Sequence, residues 1–170
     1  LYEMALEMPL NPKKFVDHLT VLDCSKVSDG ASAIAVVSEE GLKRLGFKPE
    51  EAIEVLGFAQ MTSDITQDPT DLTVLETTRN AVKKALNMAG ISISQLGTIE
   101  LHDCFSIAGI MAIEAIGLAE SGKGIDYVID GKTKREGEMP INTTGGLIGW
   151  GHPTGATGVH QAVTLWEQLT

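Results

Sequence analysis

The chain is predicted to be an α/β domain in which strands alternate with helices around a largely buried sheet. Three observations carry this expectation. Short apolar runs with strand character, "ASAIAVV", "IEVLGF" and "TIEL", alternate with stretches of helical spacing. Those stretches carry start and stop signals of their own. The 170 residues, 43% of them hydrophobic, suffice for one compact core and do not require two.

Taken in order, Ala31 to Val37 is small, apolar and β-branched, which suits a buried strand, and Glu39 to Leu45 then reads as a short helix stopped by Gly46. Ile53 to Phe58 is the second strand expected. It is followed by the polar loop "MTSDITQDPTD". Thr73 and Glu76 have capping-box spacing, and Val74, Thr78, Ala81, Val82, Ala85 and Ala89 recur on one helical face until Gly90 ends it. Thr98 to Leu101 is a short third strand running into "HDCF", after which Ile107, Ile110, Met111, Ala115 and Leu118 predict a mostly buried helix. Gly122 to Pro140, with the basic cluster Lys132, Lys134 and Arg135, is expected as an exposed loop or weak hairpin. Val159, Ala162, Val163, Trp166 and Leu169 mark one face of a last helix. No internal repeat or low-complexity tract interrupts this order.

The charge balance narrows the function. Thirteen Lys and Arg against 23 Asp and Glu leave a formal net charge of −10, which argues against nucleic acid or an anionic membrane as partner. The apolar stretch Ile107 to Ala119 is broken by Glu114 and is too short for a bilayer. Two distant cysteines, Cys24 and Cys104, without a signal-like n-region, predict a reducing compartment, with the cytosol as the simplest expectation. Because the chain begins on Leu1 and its final helical pattern reaches Thr170 with no stop signal, it is expected to be part of something longer.

Two motifs carry chemistry. "GGLIGWGHPTGATG", residues 145–158, places six glycines in fourteen positions around His152. It lacks the Lys-Ser/Thr ending of a phosphate loop, and Thr154 stands where a dinucleotide fingerprint needs its third glycine. What remains is a backbone that can approach a ligand closely, at Gly146 and Gly151 among others, and an imidazole beside a helix start. His152 there is a poised base or hydrogen-bond donor; the competing reading is a turn histidine bonded to local carbonyls. "HDCF" puts His102, Asp103 and Cys104 at a strand end, where open α/β sheets bind ligands. Its plainer alternative is a strand-end histidine beside an inert, packed cysteine. Zinc on His102, Cys104 and His152 is chemically allowed, but no paired ligand spacing supports it, and no metal is expected. His18 and His160 have polar neighbours and are expected in solvent.

With these residues in view, the sequence resembles the C-terminal half of a thiolase. The glycine-rich stretch is similar to the family's GHP-x-G loop, "CSKVSDGASAIAVVS" to the segment that leads into the half's first core strand, and "HDCF" stands where most thiolases carry "NEAF". The HDCF form is similar to the sterol-carrier-protein-type branch. The likeness runs from Thr20 to Thr170, with three motifs in the family's order.

The resemblance implies a thiolase-fold half, a layered α-β-α arrangement with a mixed sheet, truncated before its closing hairpin. Residues 1–19 would connect from an absent N-terminal half and 20–170 would form an incomplete C-terminal domain. It further implies an enzyme that makes or cleaves 3-oxoacyl-coenzyme A thioesters, with coenzyme A thioesters as substrates and no bound cofactor. A cysteine of the N-terminal half would attack the thioester carbonyl, and coenzyme A or a second acyl thioester would resolve the acyl-enzyme. His152 would activate that cysteine and donate to the oxyanion; His102 would replace the asparagine that holds an oxyanion-site water; Cys104, in place of an alanine, would serve as acid or base at the substrate's α-carbon. Ser25 would lie against the pantetheine arm, with Gly146 and Gly151 also lining the substrate. The nucleophile belongs to the other half, and the family's second cysteine would lie beyond Thr170, so this chain alone is expected to be inactive. Cys24 matches neither and is expected to be packed. Dimers or tetramers are the implied assembly, and a peroxisome or related organelle is the alternative compartment for a eukaryotic source. Two rivals stand beside this reading: a thiolase-related aldolase without a cysteine nucleophile, and a non-catalytic acyl-thioester binding or assembly subunit.

Overall fold

The computed structural model describes residues 19–170. Within them six α-helices are formed: α1 (Glu39–Arg44), α2 (Glu76–Ala89), α3 (Ser106–Ala115), α4 (Gly124–Ile129), α5 (Gly146–Trp150) and α6 (Thr157–Leu169). Single 3-10 turns at Val21–Asp23, Pro49–Glu51 and Ile93–Gln95 punctuate the loops.

Local signals account for the helices expected. Ser38 caps α1 by accepting the amide of Gly41 at 3.1 Å, acidic Glu39 and Glu40 sit at the positive helix end and basic Lys43 and Arg44 at the other. α2 ends on Gly90 in the left-handed region, φ 69°, with the amide of Ile91 reaching back to the Leu86 carbonyl at 3.2 Å. Its start differs from expectation. Asp71 takes both the hydroxyl and the amide of Thr73, at 2.6 and 2.8 Å, so the predicted capping box does not form and the helix begins at Glu76 behind an uncapped Leu75.

The three expected strands are not assigned among the described residues. Pairing there is limited to two isolated bridges, Cys24 with Phe105 antiparallel and Ile99 with Ile141 parallel. Residues 31–37 and 53–58 carry no ladder hydrogen bond among the described residues, and their apolar side chains lie open: Val36 is 79% exposed and Phe58 70%. A strand is defined by its neighbour, and neither segment has one here. Thr98 to Leu101 comes nearest to a ladder. The Ile99 amide donates to the Pro140 carbonyl and the Asn142 amide to the Ile99 carbonyl, both at 3.0 Å. Asn142 then continues the pairing with its side chain: Oδ1 accepts the Leu101 amide at 2.8 Å and Nδ2 donates to the Leu101 carbonyl at 3.1 Å.

Leu101, Ala112, Ile113, Tyr127 and Met139 form the buried core, with Leu75, Leu96, Ile99, Leu118 and Ile141 packed around it. α2 and α4 both pack on α3. The stretch from Gly122 to Pro140 is therefore more than an exposed excursion: it holds α4 and sends Tyr127 and Met139 inward. Glu114 on α3 anchors α4 by accepting the Gly124 amide at 2.8 Å, and a side chain at Gly124 would meet Ile110. Lys132 lies 3.3 Å from Glu138 and over the Tyr127 ring, which accounts for one member of the basic cluster. On α6 the apolar face is only partly used, since Trp166 and Leu169 remain open while polar Thr157 and Thr164 are buried. No helix among the described residues is long and apolar enough to cross a membrane. His18 lies outside the described residues.

Candidate active site

The two histidine motifs meet. The rings of His102 and His152, far apart in sequence, stand edge to face with 4.8 Å between centroids and 86° between planes. Hydrogen bonds from three different segments hold them there.

The first segment is the HDCF turn. Leu101, at its edge, is clamped on both backbone groups by Asn142 and also accepts from the Gln161 side-chain amide of α6 at 2.8 Å. Asp103 then crosses to the glycine-rich loop, where Oδ1 accepts the amide of Leu147 at 2.8 Å. Leu147 is fully buried, so this carboxylate satisfies an amide that water cannot reach.

The second is the glycine-rich loop itself, which folds in part into α5 and delivers His152 just after it. Gly146 has φ 59°, and a Cβ there would run into the Asp103 carboxylate and the Asn142 amide. Gly151 has φ 104° and would collide with Ser28. The close approach that both glycines permit is thus first of all to protein atoms. The ring of His152 is fixed from α6, where Thr157 Oγ1 lies 2.7 Å from Nδ1.

The third is residues 20–32. The Ser25 amide donates to the Cys104 carbonyl at 2.8 Å, which brings both Ser25 and Cys104 to the HDCF turn. Asp23 secures the same strand of chain to α3: it accepts the amide and hydroxyl of Thr20, each at 2.8 Å, and the Ser106 hydroxyl at 2.7 Å. The bond from the Thr20 amide, helped by those from Ser106 and the Thr20 hydroxyl, outweighs burial and holds the Asp23 carboxyl below its ordinary range. Farther along, residues 28–32 face 153–156 across an open cleft of about 460 Å³. Cys24 is half-buried and bridged to Phe105, and burial, reinforced by Asp23 and Cys104, pushes its thiol up, away from the thiolate a nucleophile needs.

Electrostatics separates His102 from an ordinary surface histidine. The His102 pKa is lowered, first by burial and then by the neighbouring His152, against the opposing pull of Asp103. A neutral His102 presents one ring N–H and one lone pair, suited to holding a water or an oxyanion. Both cysteines are free thiols, and among the described residues no three His, Cys, Asp or Glu side chains gather as a metal site would require. His160 departs from expectation: it is half-buried and packs edge-on against Trp150 at 4.2 Å, because the turn after α5 folds back onto α6.

Asp103, Asn142, Thr157 and Gln161 were not singled out as site residues by sequence. Asp103 carried a signal in its place inside HDCF, and Thr157 in its place inside the glycine-rich stretch 145–158. Asn142 and Gln161 act on Leu101, whose proximity no local pattern reveals.

Comparison with known proteins bears on this geometry. The family model described as "Thiolase C-terminal domain-like" matches residues 57–170. The chain is 37% identical to an acetyl-CoA acetyltransferase of Methanothermobacter thermautotrophicus over 168 residues, 98% of this chain and 43% of the relative. It is 36% identical to sterol carrier protein 2 of Oryctolagus cuniculus over 172 residues, 98% of this chain and 31% of that one. It thus spans less than half the length of these curated relatives. Among solved structures, the Ltp2-ChsH2(DUF35) aldolase superposes with a TM-score of 0.73 at 22% identity, covering 94% of this chain and 44% of the other, a likeness of fold.

Proposed function

The chain belongs to the thiolase family, matching its C-terminal domain, and from this premise we propose that it supplies the C-terminal part of a site that makes or cleaves 3-oxoacyl-coenzyme A thioesters. The single observation that carries the proposal is the edge-to-face pairing of His102 and His152. Residues 1–19 then connect from an N-terminal half, and 20–170 form the C-terminal domain of a layered α-β-α fold with a mixed sheet. Acyl-coenzyme A and coenzyme A are the substrates, a dimer or tetramer the working assembly, and the cytosol the compartment.

The roles proposed for each residue are those that the resemblance implies. His152 Nε2 takes the proton of a cysteine thiol supplied by the N-terminal half, and the thiolate attacks the carbonyl carbon of the acyl thioester. The same Nε2, now carrying a proton, donates to the oxygen on which negative charge gathers. His102, kept neutral by its surroundings, contributes a ring N–H at the adjoining face, directly or through one water. Cys104 stands at the same turn and exchanges a proton with the α-carbon of the second substrate. Ser25, bonded to Cys104 through the backbone, flanks the entry of the acyl carrier arm. Gly146 and Gly151 let the loops close around the thioester by packing on Asp103 and Ser28.

The test is made on the full-length enzyme that contains this chain. His152→Ala removes a base and an oxyanion donor, each worth about 10²-fold or more, so acyl-enzyme formation should fall by a few orders of magnitude. Mass spectrometry of the trapped acyl-cysteine measures it. An undiminished acylation burst would make His152 structural. Carbon–carbon cleavage without any trapped acyl-cysteine would instead favour the thiolase-related aldolase.

A further inference from the structure

Thr157 opens α6 and is 2% exposed. Its hydroxyl oxygen lies 2.7 Å from His152 Nδ1 and 3.2 Å from the Pro153 carbonyl oxygen. A threonine hydroxyl has one proton to give and lone pairs to accept with. Two arrangements follow. In one, the proton goes to Pro153 and Oγ1 accepts Nδ1–H, so both contacts are hydrogen bonds. In the other, the proton goes to Nδ1, and Oγ1 is left facing the Pro153 carbonyl oxygen with no proton between them.

Burial decides between the two. The second arrangement forgoes one hydrogen bond and sets two oxygens 3.2 Å apart with no water to separate them, so the first, which makes both bonds, is favoured. The hydroxyl cannot simply turn away. A threonine one helical turn beyond a carbonyl is held in the rotamer that bonds it, and the Pro153 carbonyl is itself fixed by the amides of Ala156 and Thr157 at 2.8 and 3.1 Å.

We propose that Thr157 is a positioning residue that holds His152 as its Nδ1–H tautomer and so leaves the Nε2 lone pair as the proton acceptor. The proposal rests on the reading of His152 as the activating base. Its consequence is that activation needs no rearrangement: the S–H bond of the cysteine breaks, an Nε2–H bond forms, and the Nδ1–H bond to Thr157 persists and becomes charge-assisted on the imidazolium. The opposite tautomer already carries a proton on Nε2 and could not accept another there. Thr157 thereby completes the set of nucleophile, base and orienting group.

The test uses the full-length enzyme with 15N-labelled histidine, as wild type, Thr157→Val and Thr157→Ser. Ring nitrogen–proton correlations should show His152 protonated on Nδ1 in the wild type and the serine variant. In the valine variant, of nearly the same shape but without the hydroxyl, both tautomers should appear. Acyl-enzyme formation should then fall about 10- to 100-fold with KM little changed, and serine should restore it. A wild-type His152 protonated on Nε2 overturns the proposal, as does a valine variant with the wild-type tautomer and rate. Should the valine variant fail to fold, the wild-type and serine spectra decide alone. The two readings fail separately: an Nε2–H tautomer defeats this proposal even where His152→Ala abolishes acylation, whereas an undiminished burst in His152→Ala defeats the base reading whatever the tautomer.

Discussion

The Asp103 carboxylate is joined to the backbone amide of Leu147 at 2.8 Å, and through that bond the turn bearing His102 is tied to the loop bearing His152. Removing the carboxylate should therefore do two things at once. Asp103→Ala strands a fully buried amide, at a cost of about 1–3 kcal/mol, and frees the two rings to separate. Asp103→Asn keeps an acceptor oxygen and should cost less. Denaturant unfolding of the full-length enzyme gives the stability, and acyl-enzyme formation reports the rings. An alanine variant as stable and as fast as wild type would show that the tie is dispensable.

Gly146 should tolerate no side chain. Its φ of 59° disfavours any L residue, and a Cβ there would overlap both Asp103 and Asn142. Gly146→Ala should destabilise by about 1–3 kcal/mol. Gly155 in the same loop has open space around its Cβ position, and Gly155→Ala should change stability by no more than about 0.5 kcal/mol. Paired unfolding curves compare them, and equal midpoints would refute the packing role assigned to Gly146.

Acid should weaken the fold partly through His102. Burial first, and His152 second, lower its pKa, so the unfolded chain takes this proton near pH 6.5 while the folded chain takes it only at lower pH. Between those two values the unfolded state binds more protons, and stability rises with pH across that window. The His102 contribution is fully present above the unfolded value and is lost progressively as pH falls toward the folded one. His102→Gln should flatten this part of the profile, read from unfolding midpoints over a pH series. Parallel profiles for variant and wild type would remove His102 as the cause.

Cys104 should divide the two half-reactions. If its thiol moves the α-proton, Cys104→Ala slows carbon–carbon bond making and breaking and leaves acyl transfer to the nucleophile nearly intact. A packing role predicts a small cavity, on the order of 1 kcal/mol in stability, and little effect on either step. Hydrogen–deuterium exchange at the α-carbon of a bound acyl thioester discriminates, and wild-type exchange in the alanine variant would exclude the proton-transfer role.

What the sequence determined by itself was whatever is encoded locally. Gly46 and Gly90 mark the ends of α1 and α2 because a left-handed stop acts within one turn. HDCF and the glycine-rich loop announced the two histidines by residue type and spacing. Thr73 shows the limit even at short range, since Asp71 competed for the hydroxyl that the capping box required. Tertiary structure alone decided the rest. Pairing for residues 31–37 and 53–58 depends on a neighbour strand that an apolar run cannot specify. α4 within 122–140 depends on Glu114 taking the Gly124 amide. Asn142 acts as a pseudo-strand on Leu101, Gln161 reaches the same carbonyl, and Asp103 crosses to Leu147. Each of these polar side chains could equally face water. A hydrogen bond has no period, so its partner becomes known only when folding removes the solvent that would otherwise have taken its place.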